Sequence, residues 1–489
     1  MAESTSITMR IALLLFALLT LTALGQGVLA LDAPLDERGR GEALRLIDVW
    51  LESQQVFQRT PSLSAAIVQG GQLTWSKGYG TLDSGHHIPT TAQTLYSICS
   101  ISKLFTSVAV MQLWERGSIR LDDPLTTYLP WARLKSIEED SLPVTARAVL
   151  SHSAGLPRES DFPYWTGPDF SFPTQVQLEA KIAEQAPLWP ASRWFQYSNL
   201  GFALLGNIVS AESGEAYGDY VQAHVLEPLG LKDTHPFMPM ALYNKRLAVG
   251  WSAITRDGAR EILKPFDTRA MSPAAGYTST AEDLGRFAAW QFRLLRTNRP
   301  EILRPSTLRE MQRVQFTDPG WQVERGLGFN VVRKAGQTYV GHNGECPGYY
   351  SVVLLRPATE TAVVLLSTGE RPDSYAHAVF DLIDKRQALK SAPAVQPAAA
   401  ALESYAGRYS AQPWHSEVVI VPWDAGLAVL WLPSANPADD LELWRHKGGD
   451  VFRRLRADGS EADEVRFERD KTGHVNRFTE YSNPHDRLL

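Results

Sequence analysis

An α+β fold with a small all-β module behind it is what this chain predicts, from three observations. A strand hairpin on the N-terminal side is followed by a long helical middle, and strands then return, ending in a closing helix. Past that helix a stretch almost wholly of Ala, Pro, Val and Gln gives way to short strand-like runs. Strands at both ends of the main unit imply one sheet that unites them.

The chain opens with Arg10 before the apolar run Ile11 to Leu24, and Val28-Leu29-Ala30 puts small residues where a signal peptidase reads them. Residues 1–30 read as a cleaved signal peptide with the mature chain beginning near Leu31, and Met9 is an alternative start. A retained anchor is the competing reading, but a spanning helix wants about 20 apolar residues and this run is short. Periplasmic location or secretion, in an oxidising compartment, is the expectation, with no membrane span after cleavage.

Residues 31–390 then read as the main domain. Apolar spacing gives a helix over Glu42 to Gln54, and Gly70-Gly71 joins Ser62 to Gln69 with Gln72 to Tyr79 as a tight hairpin. Lys103 to Glu115 is a helix closed by Gly117. Val144 to Leu150, Gln175 to Glu184, Leu200 to Glu212 and Ala281 to Arg296 continue the helical middle, the last opened by the capping-box spacing Thr280 to Asp283. Gly328 to Arg333, Gln337 to His342, Tyr349 to Arg356 and Thr361 to Ser367 read as consecutive antiparallel strands, and Asp373 to Arg386 as the closing helix. Residues 391–401 are a linker. In 402–489, Val418 to Val421, Leu427 to Leu432, Val465 to Arg469 and Val475 to Thr479 suggest a small barrel or sandwich.

At 489 residues and 44% hydrophobic content the chain can bury a sizeable core. A net charge of -6 and no long basic run exclude the footprint of a nucleic-acid binder. The eleven histidines form no His-x-His or His-Glu-x-x-His pattern, and adjacent His86-His87 have poor ligand spacing, so neither metal nor cofactor is implied. Oligomeric state is not legible.

Chemistry is carried by three short motifs in order. Ser100-Ile101-Ser102-Lys103 sets a hydroxyl and an amine one helical turn apart at a helix start, where free N–H groups favour developing negative charge. A serine needs a base to become nucleophilic, and a lysine serves only if its pKa is depressed. Tyr197-Ser198-Asn199 adds a phenol and an amide, and His342-Asn343-Gly344 sits at a strand end from which it could meet a substrate at the opposite wall. Lys334-Ala335-Gly336 and His446-Lys447-Gly448 also match the third pattern. The first reads as a hairpin turn and the second lies in the terminal module. Tyr481-Ser482-Asn483 repeats the second pattern and reads as a terminal turn before Pro484.

Order and spacing together resemble the serine β-lactamase and penicillin-binding-protein superfamily, most closely the class C-like serine hydrolases. Leu150-Ser151-His152-Ser153-Ala154-Gly155-Leu156-Pro157, Phe195 to Asn199, Gly276 to Leu284 and Gly341 to Tyr350 are similar to family signatures, and the resemblance covers about Ala43 to Leu389. It implies an α/β sandwich of antiparallel sheet and helical subdomain, and the tail looks like a lipocalin-like domain. It further implies Ser100 as acylated nucleophile, Lys103 as its partner, Tyr197 as proton acceptor, and Asn199, His342, Asn343 and Gly344 as substrate-binding. The oxyanion hole would be the backbone N–H groups of Ser100 and Glu345. Penicillin-recognising relatives usually carry lysine where His342 stands, so the reading favours an esterase or D-amino-acid peptidase acting through an acyl-enzyme. A true β-lactamase or DD-carboxypeptidase, and a non-catalytic penicillin- or peptidoglycan-binding sensor, are the alternatives. The substrate would be a small ester, peptide or lactam. Glu345 reads either as a negative edge that repels carboxylates or as a solvated surface residue. If the first and third motifs share one pocket, Cys99 and Cys346 meet beneath it, as a disulfide or as two small buried thiols. Phe162, Tyr164, Trp165, Phe170 and Phe172 read as loop packing or as walls of an acyl pocket, and His152 as a structural hydrogen-bonder.

Overall fold

The computed structural model describes residues 35–135, 141–389 and 399–488. The expected signal peptide and most of the expected linker lie outside the described residues. Helix α1 (Glu37–Phe57) begins where the Asp36 carboxylate accepts the Gly39 N–H at 2.6 Å. It is longer than its apolar spacing indicated, because this cap adds a polar first turn.

Eight strands form the main sheet: β1 (Ser62–Gln69), β2 (Gln72–Gly80), β3 (Phe316–Thr317), β4 (Glu324–Arg325), β5 (Asn330–Lys334), β6 (Gln337–Cys346), β7 (Tyr349–Arg356) and β8 (Thr361–Thr368). Their order is β2-β1-β8-β7-β6-β5-β4-β3, so the expected union of both chain ends is made by β1 against β8, with Leu63 opposite Ser367. Period-two alternation splits the sheet between two cores. Leu63, Ala65 and Ile67 face α1 and the closing helix, whereas Ala66 and Val68 join the larger core under the helical middle.

That larger core holds α2 (Ser102–Arg116), α3 (Asn199–Ser213) and α4 (Ala281–Thr297). Every residue of α2 from Ser102 to Leu113 is buried, and Gly117 ends the helix at φ 78, as its sequence position indicated. The capping box at α4 is only half made. Thr280 accepts the Asp283 N–H, but the buried Asp283 carboxylate turns to the Asp233 N–H and to Arg286 instead. Tyr164 stacks on Phe172, Phe172 stacks on Phe266 and Phe170 meets Phe266 edge-on in this core, so most of the aromatic loop is packing.

After the closing helix α5 (Asp373–Ala388), eight strands run as a meander: β9 (Gly407–Ser410), β10 (Glu417–Trp423), β11 (Gly426–Leu432), β12 (Glu442–Gly448), β13 (Val451–Leu455), β14 (Glu461–Arg469), β15 (Val475–Glu480) and β16 (Asn483–Asp486). A bridge from Tyr409 to Arg487 brings the ends together into a nearly closed barrel. Tyr409, Trp444, Phe452, Phe467 and Phe478 fill its interior. Tyr481 and Ser482, at φ 48 and 65, form the tight turn of the last hairpin and not a terminal turn, because β16 follows and pairs back on β15.

The barrel shares a core with α1 and α5. Leu46, Trp50, Val379 and Leu382 meet Val419, Val421, Trp423, Leu430 and Leu432. Trp50 Nε1 and Gln54 Nε2 both donate to the Ser434 carbonyl, at 3.0 and 2.7 Å. Buried Arg386 donates to Glu42, which also accepts the Asp424 N–H.

Candidate active site

Ser100 lies in the single 3-10 turn Cys99–Ile101 that leads into α2. Cys99, directly before it, sits at φ 50, a left-handed conformation that a residue with a side chain adopts only when its surroundings impose it. Those surroundings are a disulfide from Cys99 to Cys346 at the end of β6, the Ile98 N–H donated to the Tyr277 carbonyl, and Ser351 Oγ donated to the Ile98 carbonyl. Gly344 permits this approach, because a Cβ there would stand 2.3 Å from the Ile98 carbonyl oxygen.

Ser100 Oγ receives Lys103 Nζ at 3.2 Å and Tyr197 Oη at 2.8 Å. Lys103 is fully buried, and its Nζ also donates to Asn199 Oδ1 and to the Ala274 carbonyl, both at 2.7 Å. Burial pushes its ammonium well below the usual lysine range, with Glu159 opposing and Arg158 adding to the shift. A neutral amine has two hydrogens. In that state the two firm acceptors would take them and its lone pair would face Ser100. Tyr197 is pushed the other way, since burial raises its phenol, against which the Ser100 bond and Arg158 pull down.

Tyr197 stacks on His152 at 4.2 Å between ring centroids, with Lys103 Nζ and the Arg158 guanidinium 4.8 and 4.9 Å from its own. His152 Nδ1 accepts the Ser198 N–H, which makes it a structural hydrogen-bonder that also seats the phenol. Asn199 opens α3, and its Nδ2 donates to Glu159 Oε1 and Oε2 at 2.8 and 3.1 Å, which points Oδ1 at Lys103. Glu159 also accepts from Tyr164 Oη and pairs with Arg158.

A cleft of about 370 Å³ opens over Ser100 and is walled by Arg158, Trp165, Asn199, Trp251 and Tyr350 together with Glu345 to Gly348. Of the third motif, none of His342, Asn343 and Gly344 is part of this wall, which starts one residue later at Glu345. His342 is buried beneath it, 6.2 Å from the Tyr197 ring, because alternation along β6 turns it toward the core. Asn343 accepts from Asn330 Nδ2 and hydrogen-bonds with Asp373, on the other side of the strand. Glu345 pairs with Arg371 at 2.5 Å, so its charge is balanced and does not stand alone at the rim. Lys334-Ala335-Gly336 forms the β5–β6 turn, and His446 lies in the barrel. Among the described residues no His, Cys, Asp and Glu cluster has the makings of a metal site, and no helix is long and apolar enough to cross a membrane.

Sequence reasoning missed Arg158, Glu159, Arg325 and Trp251. Arg158 and Glu159 directly follow Pro157 in a segment singled out for other residues, and Arg325 is a lone cation in a two-residue strand. Arg325 lies 4.6 Å over the Phe195 ring, and burial lowers its pKa.

His342 Nδ1 donates to the Asn343 carbonyl at 2.6 Å, and burial above all pushes its pKa down to about 3. In the unfolded chain the ring titrates near 6.5. Between those values the unfolded chain binds a proton that the folded one does not, so stability is intact above about pH 6.5 and falls as pH drops toward 3. Buried His152 shifts in the same direction. Each is expected to contribute a slope of up to about 1.4 kcal/mol per pH unit. Urea unfolding from pH 7 to 4 should show His342→Gln flattening the loss, and an unchanged slope would remove His342 as its source.

The beta-lactamase family model matches residues 50–388. Over 395 residues the chain is 29% identical to the putative beta-lactamase-like 1 of Homo sapiens, covering 74% of each chain. Over 358 residues it is 27% identical to the D-alanyl-D-alanine-carboxypeptidase/endopeptidase AmpH of Escherichia coli K12, which covers 69% of this chain and 87% of that one. In fold it resembles the octameric penicillin-binding protein homologue from Pyrococcus abyssi, with a TM-score of 0.61 at 21% identity over 90% of this chain and 99% of that one.

Proposed function

The chain belongs to the beta-lactamase family, whose members are serine hydrolases, and from that premise we propose that it hydrolyses an ester or amide through an acyl-enzyme on Ser100. The observation that carries this reading is the convergence of Lys103 Nζ and Tyr197 Oη on Ser100 Oγ. Lys103, neutral through burial, takes the serine proton as Oγ attacks the carbonyl. Tyr197, held protonated, donates to Oγ in the resting site and relays the proton to the leaving group. This reverses the role first expected of Tyr197, because burial favours the phenol over the phenolate. The backbone N–H groups of Ser100 and Glu345 take the oxyanion, a contribution worth several kcal/mol where such donors are fixed in advance.

Substrate choice follows from charge. Where a fixed cation would hold a carboxylate, His342 is neutral and recessed, which supports esterase or D-residue peptidase chemistry over β-lactam hydrolysis. Export by the N-terminal leader is part of the same proposal. Intact-protein mass spectrometry after a fluorophosphonate should show one adduct that disappears in Ser100→Ala, with little or none from a penicillin. Labelling that survives Ser100→Ala would remove Ser100 as nucleophile, and a stable penicillin adduct without turnover would favour the sensor.

A further inference from the structure

A second, open cavity of about 340 Å³ shares the Trp251 side chain with the catalytic cleft. Arg59, Thr81, His86 and Arg260 line it, and no acidic residue does. Arg59 is exposed and, among the described residues, paired with no carboxylate; its guanidinium lies over Gly258, 3.0 Å from where a Cβ would stand. The Arg260 side chain is only 6% exposed. Its Nη1 donates to the carbonyls of Ser252, at 2.9 Å, and Gly369, and its Nη2 to the Gln58 carbonyl and, at 3.4 Å, to Glu370. Its Nε is buried with no partner. His86 stacks on Trp251 at 5.7 Å between centroids, and its Nδ1 meets Thr81 Oγ1 at 3.0 Å.

Two guanidinium groups against one carboxylate leave the cavity positive, and Arg59, with no carboxylate partner among the described residues, keeps its N–H donors free for a ligand oxygen. We propose that this cavity is an oxyanion site, which takes the carboxylate or phosphate of a small molecule on Arg59, with the charge of Arg260 behind it. It is coupled to the cleft through Arg260, because the Ser252 carbonyl that Arg260 holds belongs to the segment Trp251-Ser252-Ala253 that walls both the cleft and, at Trp251, the cavity.

Calorimetric titration of full-length Ser100→Ala protein with inorganic phosphate and with succinate tests binding without any need for catalysis. Saturable binding is expected, weakened about tenfold or more by Arg59→Ala and kept in Arg158→Ala. Arg59 is exposed at the end of α1, so its loss should leave the unfolding midpoint unchanged; Arg260→Lys is the second variant. No saturable heat at millimolar anion, equal binding by Arg59→Ala, or loss in Arg158→Ala, which would place the anion in the catalytic cleft, overturns the site. In wild-type protein, phosphate that slows only a succinylated p-nitrophenyl ester would mark the cavity as the seat of the substrate's own carboxylate. An equal change for an uncharged ester would mark a separate effector. Binding with no change in either would overturn the coupling.

Discussion

Lys103→Met is expected to lower kcat/KM for an activated ester by about three to four orders of magnitude. Methionine matches the lysine in length and suits a fully buried position, so the packing of α2 is kept while the amine is lost. What goes is the atom that faces Ser100 Oγ and the shared donor that holds Asn199 Oδ1 and the Ala274 carbonyl in place. Those two acceptors would be stranded, at about 1–3 kcal/mol each, so the unfolding midpoint has to be measured alongside the rates. The discriminating measurement is the pH profile. Wild-type kcat/KM should fall on the acid side as Lys103 takes a proton, and because burial lowers its pKa that limb should lie well below the ordinary lysine range. Tyr197→Phe should lose rate yet keep that limb, whereas Lys103→Met should lose it. A limb that vanished with Tyr197→Phe and survived Lys103→Met would assign the base to the phenol.

The second large effect concerns the bridge between the first and third motifs. Replacing both Cys99 and Cys346 by alanine is expected to lower the unfolding free energy by about 2–5 kcal/mol, since the sequence separation of 247 is long and closure of a long loop restricts the unfolded chain most. Activity should fall as well. Cys99 holds φ 50 directly before the nucleophile, and without the bridge one of the constraints that imposes it is gone. Denaturant unfolding reads the first effect and single-turnover acylation the second. Unchanged acylation with lowered stability would make the bridge a staple for the fold alone, and unchanged stability would remove it from both roles.

The fold was legible wherever one period governed a whole element. The hairpin at Gly70-Gly71, the stop of α2 at Gly117 and the run of strands after Gly328 follow from local patterns that tertiary packing only reinforces. The barrel was half legible. Its β10 and β11 are apolar, but β13 carries Arg453 outward and Arg454 on the same face as Phe452, so charge on both faces erases the alternation over five residues. The site divided along another line. Ser100, Lys103, Tyr197 and Asn199 sit close along the chain within their own motifs, and the order of those motifs with the family resemblance they carry singles them out. His342 was placed at the wall because a motif gives its letters and not its depth; burial at 4% exposure is set by the pleat of β6 against β7. Glu159 and Arg325 act across long sequence distances, where no spacing rule reaches.

The pairing of β1 with β8, and the shelter that the barrel gives α1, bear on how the polypeptide matures as it is made from its N-terminus. While the ribosome is still short of β6 to β8, β1 lacks its main neighbour, Cys99 lacks Cys346, and the strand that carries Glu345 does not yet stand beside Ser100. The apolar side of α1, with Leu46 and Trp50, stays uncovered for longer still, until β10 and β11 have emerged. Such non-local pairing makes for late and slow assembly. Through most of its synthesis the nascent chain therefore lacks the complete surroundings of Ser100, and over that interval it exposes apolar surface of the kind that chaperones bind.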